Sequence, residues 1–365
     1  MIMDMEKNKK LVLKDGSVFE GYGFGKEVIS EVVFNTSIIG YQEIISDPSY
    51  KFQIVLMTYP LIGNYGINDD DFESNKVQIE GLICSSYIDY PSNFRENKTL
   101  KELLNEYNVP LLFGIDTRKL TSIIRDKGSM IGIICDIDKD YNLCLNLLNN
   151  YKERHNHVKK VSSNKKYVSK VSNYIYNVGL IDLGSKKNIV RMLNDRKCNV
   201  YVFPYNVSYD DIINSNLDGI MISNGPGDPK DCKEVISLIK KIKGKIPLCG
   251  ICLGHQVISL SYGLDTYKLK FGHRGSNHPV KNLENNKIEI TSQNHSYAVK
   301  DFNNKDIKIT HLNLIDNTIE GIKIDKDYIF SLQYHPESSA GPEDSKYFFD
   351  KFINNIKRFK EDHHA

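Results

Sequence analysis

The sequence has no tryptophan, no apolar run of membrane-spanning length, no excess of either charge and no G-x-x-x-x-G-K-[ST] phosphate loop. Each absence excludes something. A spanning helix needs about 18 or more consecutive apolar residues, so no membrane role is expected. The 48 basic and 46 acidic residues leave a formal net charge of only +2. That gives no basic field for nucleic acid and no strong steering of any partner. Met1-Ile2-Met3-Asp4-Met5-Glu6-Lys7 lacks the apolar stretch of a secretory signal, and a cytoplasmic protein is expected. The 7 cysteines (84, 135, 144, 198, 232, 249, 252) are odd in number and scattered. This reads as free thiols in a reducing compartment, not as a disulfide framework. The 10 histidines show no ligand spacing. His273 and His278 flank Gly275 without forming a helix-face pair, and His255, His295, His311, His363 and His364 form no cluster along the chain. No metal is expected.

What is present is an ordinary globular composition, 40% apolar and 26% charged, in 365 residues, enough for two domains. Residues 11 to about 60 read as strands and turns, with a hairpin at Asp15-Gly16. Residues 77–135 mix strand and helix, with Asp116 or Thr117 as a helix cap. Residues 138–158 read as helix. Residues 159–175 are Lys, Ser, Asn and Val without pattern, which predicts a linker. Beyond it, apolar strands alternate with helical stripes such as Val235, Ile236, Leu238, Ile239 and Ile242. This rhythm implies a parallel sheet with helices on both faces. The expected fold is therefore α/β, a C-terminal mostly parallel open sheet flanked by helices, preceded by a smaller mixed β/α domain. The boundaries are 1–158, a linker 159–176, and 177–365.

One stretch organises the chain. Ile246-Pro247-Leu248-Cys249 runs as a short apolar strand into Gly250-Ile251-Cys252-Leu253-Gly254-His255-Gln256. This is the G-x-nucleophile-x-G elbow, with cysteine as the nucleophile. The flanking glycines remove Cβ atoms that would block the turn. A helix N-terminus pointing at the thiol favours its thiolate. A thiol catalyst also needs a base and an oxyanion site. His335-Pro336-Glu337 supplies the first: residues i and i+2 of an extended segment face one way, so Glu337 can fix the His335 ring. Pro336 marks a strand end. Ser223-Asn224-Gly225-Pro226-Gly227-Asp228-Pro229 follows a strand, and its glycines permit a turn that offers backbone N–H groups. Taken singly, the last two are an ordinary surface loop and an ordinary β-turn. Cys249-Gly250-Ile251-Cys252 is also C-x-x-C, which leaves a redox dithiol as a rival reading. Cys249 ends an apolar strand and reads as a packing residue.

Together the elbow, the Ser223 turn and His335-Pro336-Glu337 resemble the class I triad glutamine amidotransferases over about the last 190 residues. The front half is similar to the carbamoyl-phosphate synthase small-subunit family. The matching stretches there are Val33-Phe34-Asn35-Thr36-Ser37, Gly40-Tyr41-Gln42-Glu43-Ile44, Asp47-Pro48-Ser49-Tyr50, Thr58-Tyr59-Pro60 and Gly114-Ile115-Asp116-Thr117-Arg118-Lys119-Leu120-Thr121. Lys270-Phe271-Gly272-His273 and Asn277-His278-Pro279-Val280 extend the likeness.

The resemblance implies Cys252 as nucleophile with His335 and Glu337 completing a triad. It places Ser49, Gly225, Gly227, Leu253, Gln256, Asn294, Ser296 and Tyr297 around L-glutamine. Ser296 and Tyr297 stand where the family has Gly and Phe, and Ser296 is strained if that position needs positive φ. Tyr334 stands where glycine is common. The implied activity is glutamine hydrolysis through a cysteine thioester, with ammonia passed to a large synthetase subunit. That partner forms a heterodimer, or a higher oligomer of heterodimers, and carries ATP and Mg2+. This chain needs no cofactor of its own. The rivals are the amidotransferase of another synthetase, a partner-independent cysteine hydrolase, and a scaffold with a vestigial triad.

Overall fold

The computed structural model describes residues 6–338 and 340–364. Met1 to Met5, on which the targeting reading partly rests, lie outside the described residues, as does the side chain of His364. The chain forms two compact units, Met1–Arg154 and His155–Ala365.

In the first unit, β1 (Lys9–Leu13) and β2 (Val18–Phe24) make the hairpin signalled by Asp15-Gly16, where Gly16 takes φ 88°. There follow β3 (Val28–Asn35), α1 (Tyr41–Ser46), a 3-10 turn (Pro48–Tyr50), β4 (Gln53–Met57), β5 (Leu61–Ile62), β6 (Gly81–Cys84) and β7 (Ser86–Tyr87). α2 (Leu100–Glu106), β8 (Leu111–Phe113), α3 (Thr117–Lys127), β9 (Met130–Asp136) and α4 (Tyr141–Asn149) complete it. Seven strands close into a barrel in the order β1-β2-β8-β6-β4-β3-β9, with β9 paired back onto β1. The pattern of strands alone did not imply this closure. β1 is buried along its whole length because it has a partner on either side and α4 over it, through Val12, Ile133, Cys135, Cys144 and Leu148. A closed sheet leaves no unpaired edge. Asp116, not Thr117, caps α3, its side chain accepting from Lys119 N–H.

The second unit begins with α5 (His157–Val161) and β10 (Tyr167–Ser169). β10 pairs antiparallel with β12 (Cys198–Pro204). The expected linker at 159–176 is therefore in part folded structure, because its Tyr and Val residues complete a sheet edge despite the polar sequence around them. β11 (Tyr176–Asp182), α6 (Lys187–Asp195), α7 (Tyr209–Ile213), β13 (Gly219–Ile222), α8 (Lys233–Ile242), β14 (Leu248–Ile251) and α9 (Leu253–Ser261) follow. The chain ends with β15 (Thr266–Asn282), β16 (Ile288–Val299), β17 (Lys308–Asn313), β18 (Ile319–Ile324), β19 (Ile329–Leu332) and α10 (Tyr347–His364).

One ten-stranded sheet runs β10-β12-β11-β13-β14-β19-β18-β16-β15-β17. Only the block β12-β11-β13-β14-β19 is parallel. The "mostly parallel" expectation needs correction here: the other half is antiparallel, and β17 returns to pair with β18. The reason is connectivity. β15 and β16 are 17 and 12 residues long and joined by a tight turn, and parallel partners would need a long crossover. Alternation along β13 sends Ile220 and Ile222 to one face, under α8 and α9, and Met221 to the other, under α6 and α10. Val235, Leu238, Ile239 and Ile242 of the predicted stripe fill the first layer, and Phe348, Phe349, Phe352 and Ile356 the second.

α2 opens on a capping box: Thr99 Oγ1 accepts from Glu102 N–H (3.2 Å) and Glu102 Oε2 accepts from Thr99 N–H (2.8 Å). Thr99→Ala removes one arm and is expected to lower stability by about 1 kcal/mol. A urea midpoint displaced downward with an unchanged slope is the outcome that supports this assignment; an unmoved midpoint refutes it.

Candidate active site

Cys252 lies between β14 and α9 with φ 53° and ψ −105°. A non-glycine residue there costs about 1–3 kcal/mol and persists only where its surroundings impose it. The imposition is visible. A Cβ on Gly254 would stand 2.2 Å from Ile222 O, and one on Gly250 2.7 Å from the Gly254 carbonyl carbon. The two glycines let α9 descend onto the sheet, and the sharp turn falls on Cys252. Its N–H donates to Leu332 O on the neighbouring strand end (2.9 Å). The first N–H groups of α9 have no partner within the helix.

His335 and Glu337 follow β19, the strand paired with β14. Glu337 Oε1 accepts from His335 Nδ1 at 2.6 Å, and both side chains are buried. Because the carboxylate only accepts, Nδ1 carries the proton and Nε2 is the other face of the ring. Nε2 is buried with no hydrogen-bond partner among the described residues. Burial pulls His335 down, but the charge of Glu337, with Cys252 also contributing, raises it to about 10. Burial pushes Glu337 up, and the charges of His335 and Lys186 more than reverse this, holding it at about 2. Both directions describe an ion pair.

Lys186 is buried too, with Nζ 3.3 Å from Glu337 Oε1 and 3.0 Å from Ser338 O. Asn188 Nδ2 donates to Glu337 O (2.5 Å). Sequence reasoning passed over both, since nothing in Gly184-Ser185-Lys186-Lys187-Asn188 distinguishes them from a solvated helix start.

The proposed glutamine contacts divide. Gly225 stands against the elbow: a Cβ there would lie 2.3 Å from Leu183 O and 2.9 Å from Leu253 Cδ2. Asn294 O accepts from the Cys252 thiol at 3.5 Å. Gln256 Nε2 donates to Tyr297 O at 2.7 Å. Gly225, Leu253, Gln256, Asn294 and Tyr297 are thus gathered about Cys252. Gly227 has φ 92° and lines a cavity of 240 Å³ with His155, His157 and Tyr205. Ser49 belongs to the first unit, in the Pro48–Tyr50 turn, where its N–H donates to Asp47 Oδ1 (2.8 Å).

Ser296 is not strained. It sits in β16 outside the positive-φ residues and accepts from Arg274 Nη2 at 2.5 Å. Tyr334 is accommodated by a buried carboxylate, its hydroxyl donating to Glu289 Oε2 (3.0 Å). Cys249 is wholly buried among Val178, Leu180, Met221 and Phe330, and burial pushes its thiol well up.

The structure unites two histidines that spacing kept apart. His273 and His295 are cross-strand partners on β15 and β16. With buried Glu320 they bring possible ligand atoms within 4.8 Å of one another. The grouping is already occupied by hydrogen bonds and charge. His273 lies between Asp316 (2.8 Å) and Glu320 (3.7 Å), and His295 bonds Tyr297 O (2.8 Å) and Gln293 Oε1 (2.6 Å). Burial lowers His273, but Asp316 and Glu320 outweigh it and raise the ring to about 9. His255 is a neutral core residue, lowered by burial to about 3 and 2.9 Å from Ser331 Oγ.

Residues 11–134 match the family described as "Carbamoyl-phosphate synthase small chain, CPSase domain", and residues 179–355 match "Glutamine amidotransferase class-I". The carbamoyl phosphate synthase pyrimidine-specific small chain of Bacillus subtilis (strain 168) is 49% identical over 359 residues, 98% of each chain. The chain belongs to the carbamoyl phosphate synthase small-chain family. The small chain of Bacillus cereus (strain ATCC 10987) is 51% identical over 358 residues, 97% of each chain. That of Fusobacterium nucleatum is 49% identical over 353 residues, 96% of this chain and 98% of its own. The resemblance read from both halves of the sequence is thereby established.

The small-chain fold here stores a pH-dependent contact beside the site. His273 has a folded pKa near 9, above the ordinary value of 6.5. Its contribution is complete below about pH 6.5 and is lost as pH rises through 9. Glu320→Gln removes one of the two carboxylates. The stability difference between wild type and Glu320→Gln should shrink by on the order of 1–2 kcal/mol between pH 6.5 and pH 9.5. Denaturant titrations at both pH values measure it, and a pH-independent difference would rule out the assigned protonation.

Proposed function

We propose that this chain is the glutamine-hydrolysing subunit of a carbamoyl phosphate synthase, with Cys252 as nucleophile, His335 as proton carrier and Glu337 as its anchor. The observation that carries the roles is the pairing of a backbone-strained Cys252 with a buried His335–Glu337 ion pair on the adjacent strand end.

With the proton of Cys252 already lodged on the charged His335 ring, the sulfur attacks the side-chain carboxamide carbon of L-glutamine. The carbonyl oxygen becomes an oxyanion facing the N–H of Leu253 and the Gly225 turn. On collapse the C–N bond breaks, His335 returns its proton to the leaving nitrogen, and ammonia departs from a γ-glutamyl thioester. Water then gives its proton to His335 and attacks the thioester, and the C–S bond breaks to release glutamate and restore the free sulfur beside the charged His335 ring. Lys186 keeps Glu337 ionised through the cycle. Gln256, Asn294, Ser296, Tyr297 and Gly227 are the glutamine contacts of this reading.

Ammonia that escaped to water would be protonated and lost as a nucleophile. The reading therefore includes a large synthetase subunit that receives it and supplies ATP and Mg2+, assembled with this chain as a heterodimer in the cytoplasm. Among the described residues no helix is long and apolar enough to cross a membrane.

Cys252→Ser in the assembled complex is the test. Glutamine-dependent carbamoyl phosphate synthesis should fall by at least about 1,000-fold, as expected for loss of a nucleophile, while synthesis from added ammonium stays within twofold of wild type. Loss of both activities from an intact complex would overturn the division of labour.

A further inference from the structure

Gln333 is wholly buried in the turn between β19 and His335. Its main-chain N–H donates to Glu320 O at 2.8 Å, which pins its backbone to β18. Its side chain has two neighbours. Nε2 is 3.7 Å from Cys252 Sγ, and Oε1 is 3.0 Å from Gln256 Nε2. The orientation of this amide follows from the network. Tyr297 O can only accept, so the Gln256 atom 2.7 Å away is its NH2 group. The Gln333 atom facing that same NH2 must in turn be an acceptor, its oxygen. The NH2 group of Gln333 is left pointing at the sulfur.

The sulfur of Cys252 thus has a carbonyl on one side, Asn294 O at 3.5 Å, and an N–H donor on the other. As a neutral thiol it can donate to Asn294. As a thiolate it has nothing to donate, and the carbonyl dipole opposes it. The contact with Gln333 does the reverse, since a hydrogen bond to a charged acceptor is markedly stronger than one to a neutral thiol. Gln333 therefore binds the charged sulfur better than the uncharged one, which is the condition for lowering a barrier that passes through it.

We propose that Gln333 is a catalytic residue of the glutaminase: it donates to the Cys252 thiolate, both before attack and when the sulfur leaves the acyl intermediate. The same amide fixes Gln256. With both hydrogens of Gln256 Nε2 directed to Tyr297 O and Gln333 Oε1, Gln256 meets a ligand only with its carbonyl oxygen. It therefore recognises an N–H group of glutamine, its carboxamide or its α-ammonium. The inference rests on Cys252 being the nucleophile.

Gln333→Glu separates the two roles. It keeps an oxygen for Gln256 and replaces the N–H donor with a carboxylate oxygen. Gln333→Leu removes both. Each is assembled with the large subunit, and ammonium-dependent synthesis reports that the complex is intact. The rate of Cys252 alkylation by iodoacetamide, corrected with Cys252→Ser for the other thiols, reports the thiolate directly. At pH 7 that rate should fall about 10- to 100-fold in both variants, and should approach the wild-type rate at alkaline pH. Glutamine turnover should fall by a similar factor, with KM for glutamine rising more in Gln333→Leu than in Gln333→Glu.

An unchanged alkylation rate in an intact Gln333→Glu complex would overturn the donor role. So would failure of both variants to assemble, because the side chain would then be structural. A wild-type Cys252 inert to alkylation would overturn the nucleophile assignment and this inference together, whereas reactive wild type with unaffected variants removes only the inference.

Discussion

The second unit depends on how closely α9 approaches the sheet. Gly254 lets the helix touch the carbonyl of Ile222, and Gly250 lets the strand pass beneath it. No side chain larger than hydrogen fits at either point, so the direction change between strand and helix has to be completed within one residue. Cys252 absorbs it at φ 53°. A cost of about 1–3 kcal/mol is small beside the burial of Leu253, Val257 and Ile258 under the same helix, each fully buried apolar side chain being worth about 1.5–3 kcal/mol. The thiol's exposure to its partners is thus a by-product of packing, held in place by residues with no chemistry of their own.

A second constraint is that three charged side chains are enclosed together. Lys186, Glu337 and His335 form a row in which each charge faces an opposite one, and each has 5% or less of its side chain exposed. Buried charges are tolerated only when paired and hydrogen bonded. Here the backbone carbonyls of Glu337 and Ser338 accept from Asn188 and Lys186, while His335 Nε2 and Glu337 Oε2 have no hydrogen-bond partner among the described residues. Removing Glu337 would leave the two positive charges of Lys186 and His335 unpaired in the interior. Position and protonation are therefore set together: the geometry that orients His335 is the geometry that keeps it charged.

Much of the site was legible because its elements are short and local. The Gly250 to Gly254 spacing, the i and i+2 relation of His335 and Glu337, and the glycines of Ser223 to Pro229 each encode a turn or an extended segment in a few residues. The remainder was hidden by register. His273 and His295 meet only because β15 and β16 pair antiparallel with a shift between Lys268 and His273, and ligand-spacing arguments written for helices do not see cross-strand neighbours. Lys186 lies 151 positions from Glu337 and has no local signature. The barrel was invisible for a related reason: strands show a period of two whether or not the first and last of them meet. The 159–176 segment misled because its polar residues outnumber the few that dock onto β12.

Gln333 is the case where the available rule reached further than it was carried. Gln333 precedes His335 by the same two residues that separate His335 from Glu337, although this stretch is a bend and turn beyond β19 and not the extended segment expected of it. What that rule could not supply is the polarity of its amide, because glutamine has a donor and an acceptor at nearly equal reach. The polarity comes from a main-chain carbonyl in a different strand, Tyr297 O, acting through the side chain of Gln256. Position 297 is tyrosine, yet the group that matters there is the backbone. The ring can change without disturbing the direction in which Gln333 points its hydrogens, and that direction is what the sulfur of Cys252 encounters.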